Sequence, residues 1–143
     1  MAEGADERRA NYRYILAIPT RWHDNDIYGH VNNVVFYAYF DTVVAQYYIA
    51  SGGFDIHGGS AIGLVVETLC RYHLPISFPD IIDAGLRVVR LGTSSVRHEI
   101  GLFREGDEAP AATGHFIHVF VDRATRRPVP IPEPIREALA RLT

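Results

Sequence analysis

The chain has no lysine: all 14 of its basic residues are arginine. That absence excludes Schiff-base chemistry, which needs a lysine amine. Otherwise it reads as a compositional habit, although a guanidinium fork suits phosphate. Cysteine is almost as scarce. Cys70 stands alone, so no internal disulfide can form and a reducing compartment is the expectation. Long apolar runs are missing too. The longest, residues 34–50, is interrupted by Asp41 and Gln46 and falls short of the roughly 20 residues of a membrane span. Residues 1–11 are polar and charged, without the apolar segment of a signal peptide. A net charge of −3 leaves no basic surface for nonspecific nucleic-acid binding. There is no Gly-x-Ser-x-Gly elbow and no standard zinc spacing, so a serine triad, a metal and a separate cofactor are not expected. The reading is a cytoplasmic protein with neither membrane nor nucleic acid as partner.

What is present is one domain's worth of chain. The sequence has 143 residues, 48% hydrophobic and 22% charged, enough to bury a core. Residues 1–11 read as a flexible N-terminal tail and residues 12–143 as a single domain. A first strand covers about residues 12–22, with Pro19 near its end. A polar loop, residues 24–32, leads into a helix over residues 33–51, capped by Asn32 or Asn33 and stopped by Gly52-Gly53. That helix is apolar on nearly every side and has to be wrapped by the rest of the protein. From Ser60 the pattern turns to period two. Ile62, Leu64, Val66, Thr68, Cys70 and Tyr72 share one face, and Pro75 closes the strand. A third strand (82–91), a tight turn at Gly92-Thr93-Ser94, a fourth strand from Val96 and a fifth (111–122) follow. The prolines 128, 130, 132 and 134 lead into a short helix over residues 135–142. The order predicts an α+β fold: a five-stranded antiparallel sheet covering one long helix, with a short C-terminal helix.

The informative junction is the loop before the long helix. Two Asp, two His and three Asn fall within residues 23–33. A helix start presents N–H groups without internal partners at the positive end of its dipole. Such an end polarises a carbonyl oxygen gaining negative charge, and a neighbouring carboxylate serves as base or nucleophile. Asp26 is the candidate for that carboxylate. Asp24 is expected to form a turn or pair with Arg21. His30 either orients a substrate or tethers the loop through a backbone carbonyl, and Gly29 permits a positive φ or close ligand approach. Asn32 and Asn33 cap the helix and thereby aim its N–H groups.

Other residues carry weaker expectations. Cys70, on the apolar side of its strand, reads as a buried core thiol. Glu67 and Arg71, on one face of that strand, are expected to pair as surface charges or to make an oligomer contact. Arg90, Arg97, Arg126 and Arg127 are each within the range of residues that could reach a nucleotide phosphate.

The run Asp26-x-x-Gly29-His30-Val31-Asn32-Asn33-x-x-x-Tyr37 resembles the hotdog-fold acyl-CoA thioesterases, in the branch that includes 4-hydroxybenzoyl-CoA thioesterase. The element order over residues 12–122 and the Gly92-Thr93-Ser94-Ser95 hairpin carry the resemblance further. It implies a sheet wrapped around the central helix and two subunits paired by their sheet edges, as a homodimer or a tetramer made of two dimers. It also implies an active site at the dimer interface. Asp26 takes the position of the family's catalytic carboxylate. Asn33 marks the N–H that receives the thioester carbonyl, with His30 beside them. Gly29, Asn32, Val34 and Tyr37 would line the acyl site, and Thr93, Ser94 and Ser95 would follow pantetheine and nucleotide. The substrate implied is an acyl-CoA, coenzyme A being part of it. The hairpin has Gly92, Thr93 and Ser94 where the aromatic-specific relative has a basic cluster, which leaves an acyl carrier protein or a smaller thioester open. A non-catalytic acyl-thioester binding module and an enoyl-CoA hydratase of the same fold are the alternatives.

Overall fold

The structure, a computed structural model, describes residues 3–55 and 57–143. Five strands form one antiparallel sheet: β1 (Tyr14–Pro19), β2 (Ala61–Tyr72), β3 (Ile81–Leu91), β4 (Ser95–Arg104) and β5 (Ala112–Asp122). Their spatial order is β1-β3-β4-β5-β2, which leaves β1 and β2 at the edges. The long helix α1 (Asn33–Gly52) follows β1, and the short helix α2 (Glu133–Ala140) ends the chain. This is the α+β arrangement that the element order predicted and the hotdog fold that the resemblance implied.

Alternation decides what faces the helix. On β4, Val96, His98, Ile100 and Leu102 are buried toward α1. Across the ladder they meet the inward residues of β5, Phe116 opposite His98 and Ala112 opposite Leu102. From α1, Phe36, Tyr39, Phe40, Val43, Val44, Tyr47 and Tyr48 enter the same core. The opposite side of α1, including Val34, Ala38, Ala45 and Ile49, is exposed in the single chain. One sheet covers only one face of a helix, so the sequence's all-round apolar character is left half unused. Asn32 caps α1, its Oδ1 accepting from the Val34 N–H, and Gly53 ends it in the left-handed region. α2 packs on the C-terminal end of α1, where the Tyr47 hydroxyl donates to the Ala138 carbonyl.

Three local expectations need correction. The first strand stops at Pro19, and Trp22–Asp24 forms a 3-10 turn, because Arg21 and Asp24 close a reciprocal side-chain bond there. The last helix starts two residues early, with Pro132 at its cap and Pro134 in its first turn. β2 does not alternate strictly. A bulge between Val65 and Glu67 shifts its register on β5, so Gly63 and Val65 point to the helix side before it and Thr68, Cys70 and Tyr72 after it. Ile62 and Leu64 therefore lie on the outer face.

Residues 3–11, expected as part of a loose tail, lie with Tyr12 across the outer face of the sheet. Glu7 pairs with Arg87 at 3.0 Å, Arg71 with Glu3 at 3.1 Å, and Arg9 with Asp83. Tyr12 inserts its ring over Gly85 and Gly101, which face each other across β3 and β4. A Cβ at either glycine would come within 2.7 Å of the ring, so this seat requires residues without side chains. The Arg87 guanidinium stacks 4.7 Å above the ring's other face.

Candidate functional site

The site loop is built from both ends inward. Asp24 is 1% exposed, and its carboxylate accepts from the Arg21 N–H, the Arg21 guanidinium and the Tyr39 hydroxyl, the last at 2.8 Å. Burial works to raise its pKa. The Arg21 N–H, the Tyr39 hydroxyl and the Arg21 charge together outweigh it and hold the carboxyl below its usual range. The Asp24 carbonyl in turn accepts from the Asn32 N–H, so this residue ties the loop to the start of α1. Asp24 therefore pairs with Arg21 as the sequence suggested.

Between those anchors the chain makes a tight excursion. The Asp26 N–H donates to the His30 carbonyl and the Gly29 N–H to the Asp26 carbonyl, with Gly29 at φ +84°, a conformation unfavourable for any side-chain-bearing residue. The neighbouring segment holds this turn. Val31 donates to Ile76, Phe78 donates to the Asn25 side chain, and the Ser77 hydroxyl donates to Gly29. Asp26 Oδ1 accepts from the Tyr28 N–H at 2.8 Å. Its Oδ2 has no hydrogen-bond partner among the described residues, and Asp26 joins no ion pair there.

A cavity of about 450 Å³ opens at this point, lined by Asp26, His30 and Asn33 together with Phe36, Tyr72 and His73. The Asn33 N–H, first of α1, has no acceptor among the described residues, whereas the Val34 N–H is capped by Asn32. One opening thus holds a carboxylate with a free oxygen and a helix end with a free donor.

The remaining sequence candidates are placed differently. Gly29 and Asn32 shape the turn and the cap without lining the cavity, and Val34 is exposed in the first turn of α1. Tyr37 is half-buried, its ring edge-on to Phe40. Thr93, Ser94 and Ser95 sit at the β3–β4 hairpin beside the C-terminal segment, where Arg136 and the Ile131 N–H donate to the Thr93 carbonyl. They do not line the cavity of the same chain.

Tyr72 and His73 were missed as site residues. Their signal was an aromatic and an imidazole at the end of a strand just before Pro75, which periodicity alone treats as strand filler. The Tyr72 hydroxyl donates to the Asn33 carbonyl at 2.9 Å, and burial raises its pKa above the usual phenol range. His73 lies 2.9 Å from the Thr113 hydroxyl, and burial, with Arg71 nearby, lowers its pKa and favours the neutral ring. Cys70 is half-buried under Tyr72, and burial pushes its thiol up to about 11, so it stays protonated and inert. The expected Glu67–Arg71 pair does not form. Glu67 meets His115 at 2.7 Å and Arg71 meets Glu3, because the N-terminal segment and β5 offer nearer partners. Of the four arginines, Arg97 is engaged with Glu99 and His115. Among the described residues no helix is long and apolar enough to cross a membrane.

Residues 20–139 match the model of the thioesterase-like superfamily. The chain belongs to that superfamily of thioester hydrolases. Among solved structures, the PA5185 protein of Pseudomonas aeruginosa strain PAO1 is similar at 56% identity, covering 95% of each chain with a TM-score of 0.94. The PA2801 protein of the same organism, a putative thioesterase, shares 33% identity over 87% of this chain and 96% of its own, with a TM-score of 0.82. A thioesterase from Thermus thermophilus, solved in complex with coenzyme A and Zn, shares 31% identity over 92% and 95%, with a TM-score of 0.77. No match is found among curated proteins.

Proposed function

We propose that this protein hydrolyses an acyl-CoA thioester to the free acid and coenzyme A. The observation that carries the reading is the shared cavity of Asp26, with one carboxylate oxygen unengaged, and the Asn33 N–H, with no acceptor of its own. Membership of a thioester-hydrolase superfamily, and the coenzyme A bound by the Thermus relative, support the substrate class.

In this mechanism the thioester carbonyl oxygen accepts from the Asn33 N–H, and the α1 dipole stabilises the charge that develops on it. Asp26 then acts in one of two ways. As base it takes a proton from a water whose oxygen attacks the carbonyl carbon, and that proton leaves on the coenzyme A sulfur. As nucleophile it attacks the carbon itself, expels the thiolate and forms a mixed anhydride that water cleaves. His30 lies in the same cavity, placed to orient the substrate. Gly29 and Asn32 hold the geometry, while Val34 and Tyr37 flank the acyl group.

The site is completed by a second copy. Thr93, Ser94 and Ser95 do not line this cavity in their own chain, so in this reading the hairpin that follows pantetheine is that of another subunit. The exposed Trp22, Ile27, Tyr28 and Val34 around the loop and Val66 on the β2 edge give such a copy apolar surface to cover. A panel of acyl-CoAs assayed for thiol release tests the reading. Release with at least one of them is expected. Binding without release would replace the hydrolase with a thioester-binding module.

A further inference from the structure

The bulge in β2 decides which way the end of that strand faces. Val65 pairs with His118 and Glu67 with Ile117, so Val66 is the extra residue. A period of two carried unbroken from Gly63 and Val65 would put Arg71 and His73 on the helix side and Tyr72 on the outer face. The bulge exchanges them, and Tyr72 turns toward the start of α1. There its hydroxyl donates to the Asn33 carbonyl at 2.9 Å, and its ring stands edge-on to Phe36 with centroids 4.9 Å apart. Tyr72 and Asn33 line the cavity that holds Asp26. Both contacts of Tyr72 are made within one chain and need no open surface, so they do not depend on whether a second copy covers β2.

Two peptide groups flank Asn33, and what holds them decides where its N–H points. The first, Asn32–Asn33, carries that N–H, and its carbonyl accepts from the Val35 N–H at 2.9 Å. The Asn32 N–H just before it donates to the Asp24 carbonyl at 2.9 Å. In the second, Asn33–Val34, the N–H donates to Asn32 Oδ1 at 3.2 Å and the carbonyl accepts from Tyr72. Among these bonds, the one from Tyr72 alone comes from the sheet.

We propose that Tyr72 is a positioning residue for the reaction: its hydroxyl fixes the Asn33–Val34 peptide against the sheet and so keeps the neighbouring Asn33 N–H aimed into the cavity. The inference rests on the thioester-hydrolase reading, in which that N–H receives the carbonyl oxygen. A donor held in advance toward developing charge stabilises the transition state more than the bound substrate. Loss of the Tyr72 hydroxyl should therefore act on kcat and leave KM nearly unchanged. The bulge acquires a task as well, since it turns this hydroxyl toward α1.

The donor itself can be deleted where it stands. Asn33 is the first residue of α1, a position that accepts proline, and Asn32 before it has the extended backbone that a following proline requires, at φ −59° and ψ 138°. Asn33→Pro removes the N–H and the side chain, and Asn33→Ala removes the side chain alone. Thiol release from a panel of acyl-CoAs is measured on the full-length protein, with Tyr72 and with Tyr72→Phe in each background. Asn33→Pro should lower kcat about 10²-fold below Asn33→Ala. Tyr72→Phe should lower kcat about 10-fold in the wild type and in Asn33→Ala, with KM changed less than about twofold. In Asn33→Pro it should cost nothing further, because the donor is already gone. The NMR order parameter of the Asn33 amide should fall in Tyr72→Phe, a measurement that does not need the proline variant to fold. An equal Tyr72→Phe loss in both Asn33 backgrounds, a loss confined to KM, or an unchanged kcat and amide would overturn the role of Tyr72 and leave the hydrolase reading standing. Asn33→Pro as active as Asn33→Ala would overturn the assignment of the donor and this inference together. A wild-type protein that releases no thiol would overturn the hydrolase reading, and the inference with it.

Discussion

Two carboxylates separated by one residue, Asp24 and Asp26, have opposite surroundings. The first is enclosed by Arg21 and Tyr39 with its oxygens engaged, and the second has one oxygen on a backbone N–H and one free over a cavity. Their difference decides what each can do: a fully paired carboxylate holds a loop, and an under-used one can take a proton or attack. Asp26→Asn keeps the Oδ1 acceptor for the Tyr28 N–H, so the loop should survive while the basic, nucleophilic oxygen is lost. The expected result is a kcat at least about 10²-fold lower with an unchanged unfolding midpoint. Near wild-type turnover by a folded variant would remove Asp26 from the reaction. The density of Asp, His and Asn in residues 23–33 made this loop legible in the sequence, and so did the pairing of Asp24 with Arg21. Tyr72 and His73 were not legible, because they join the cavity only through the fold. The end of β2 comes back beside the start of α1, and nothing local to Tyr72-His73-Leu74-Pro75 records that neighbour.

Elements were legible wherever a period ran unbroken. α1 shows its cap at Asn32 and its stop at Gly53, and β4 alternates from Val96 to Ile100. β2 was misread in its first half because a bulge adds one residue without leaving a signature in a strand of Val and Leu, and the faces of Ile62 and Leu64 exchange with those of Gly63 and Val65. The N-terminal segment was misread for a different reason. Its own composition is that of a tail, and its order comes from a receptor that lies elsewhere in sequence, the Gly85–Gly101 pair on the sheet's outer face. That docking is testable as a coupling. Gly101→Ala places a methyl where the Tyr12 ring lies and should destabilise the fold by about 1–3 kcal/mol. Tyr12→Ala removes a large buried ring, at a cost of about 3–4 kcal/mol. In the double variant the glycine substitution should cost almost nothing further, because its clash partner is gone. Additive losses in urea unfolding would show that Tyr12 does not sit on Gly101.

For the molecule as a whole, acid stability and association follow from what one chain buries and what it leaves open. Burial, with His118 nearby, pushes His98 down to about 3, and burial pushes His118 down to about 4. Both are neutral in the fold, while in the unfolded chain each titrates near 6.5. Below that value the unfolded state binds more protons, so stability should fall by about 2–3 kcal/mol per pH unit between pH 6 and 4. His118→Gln should roughly halve that slope, and an equal slope in both proteins would exclude the histidines as its source. The surface that one chain leaves open for association is the other half of α1 and the β2 edge. The single chain exposes Val65, Val66, Val34 and Ile49 along one side, and β2 ends the sheet with unpaired backbone groups. A second copy paired along that edge would cover this side and bring a β3–β4 hairpin to the cavity. Val66→Lys puts a charge at the bulge, where edge strands ordinarily carry one to prevent pairing. It leaves Asp26, the α1 cap and the core untouched. Sedimentation of this variant should shift toward the monomer, and activity should fall in parallel, recovering as protein concentration is raised. A fully active monomer would show instead that each chain carries a complete site, and that the exposed side of α1 serves some other contact.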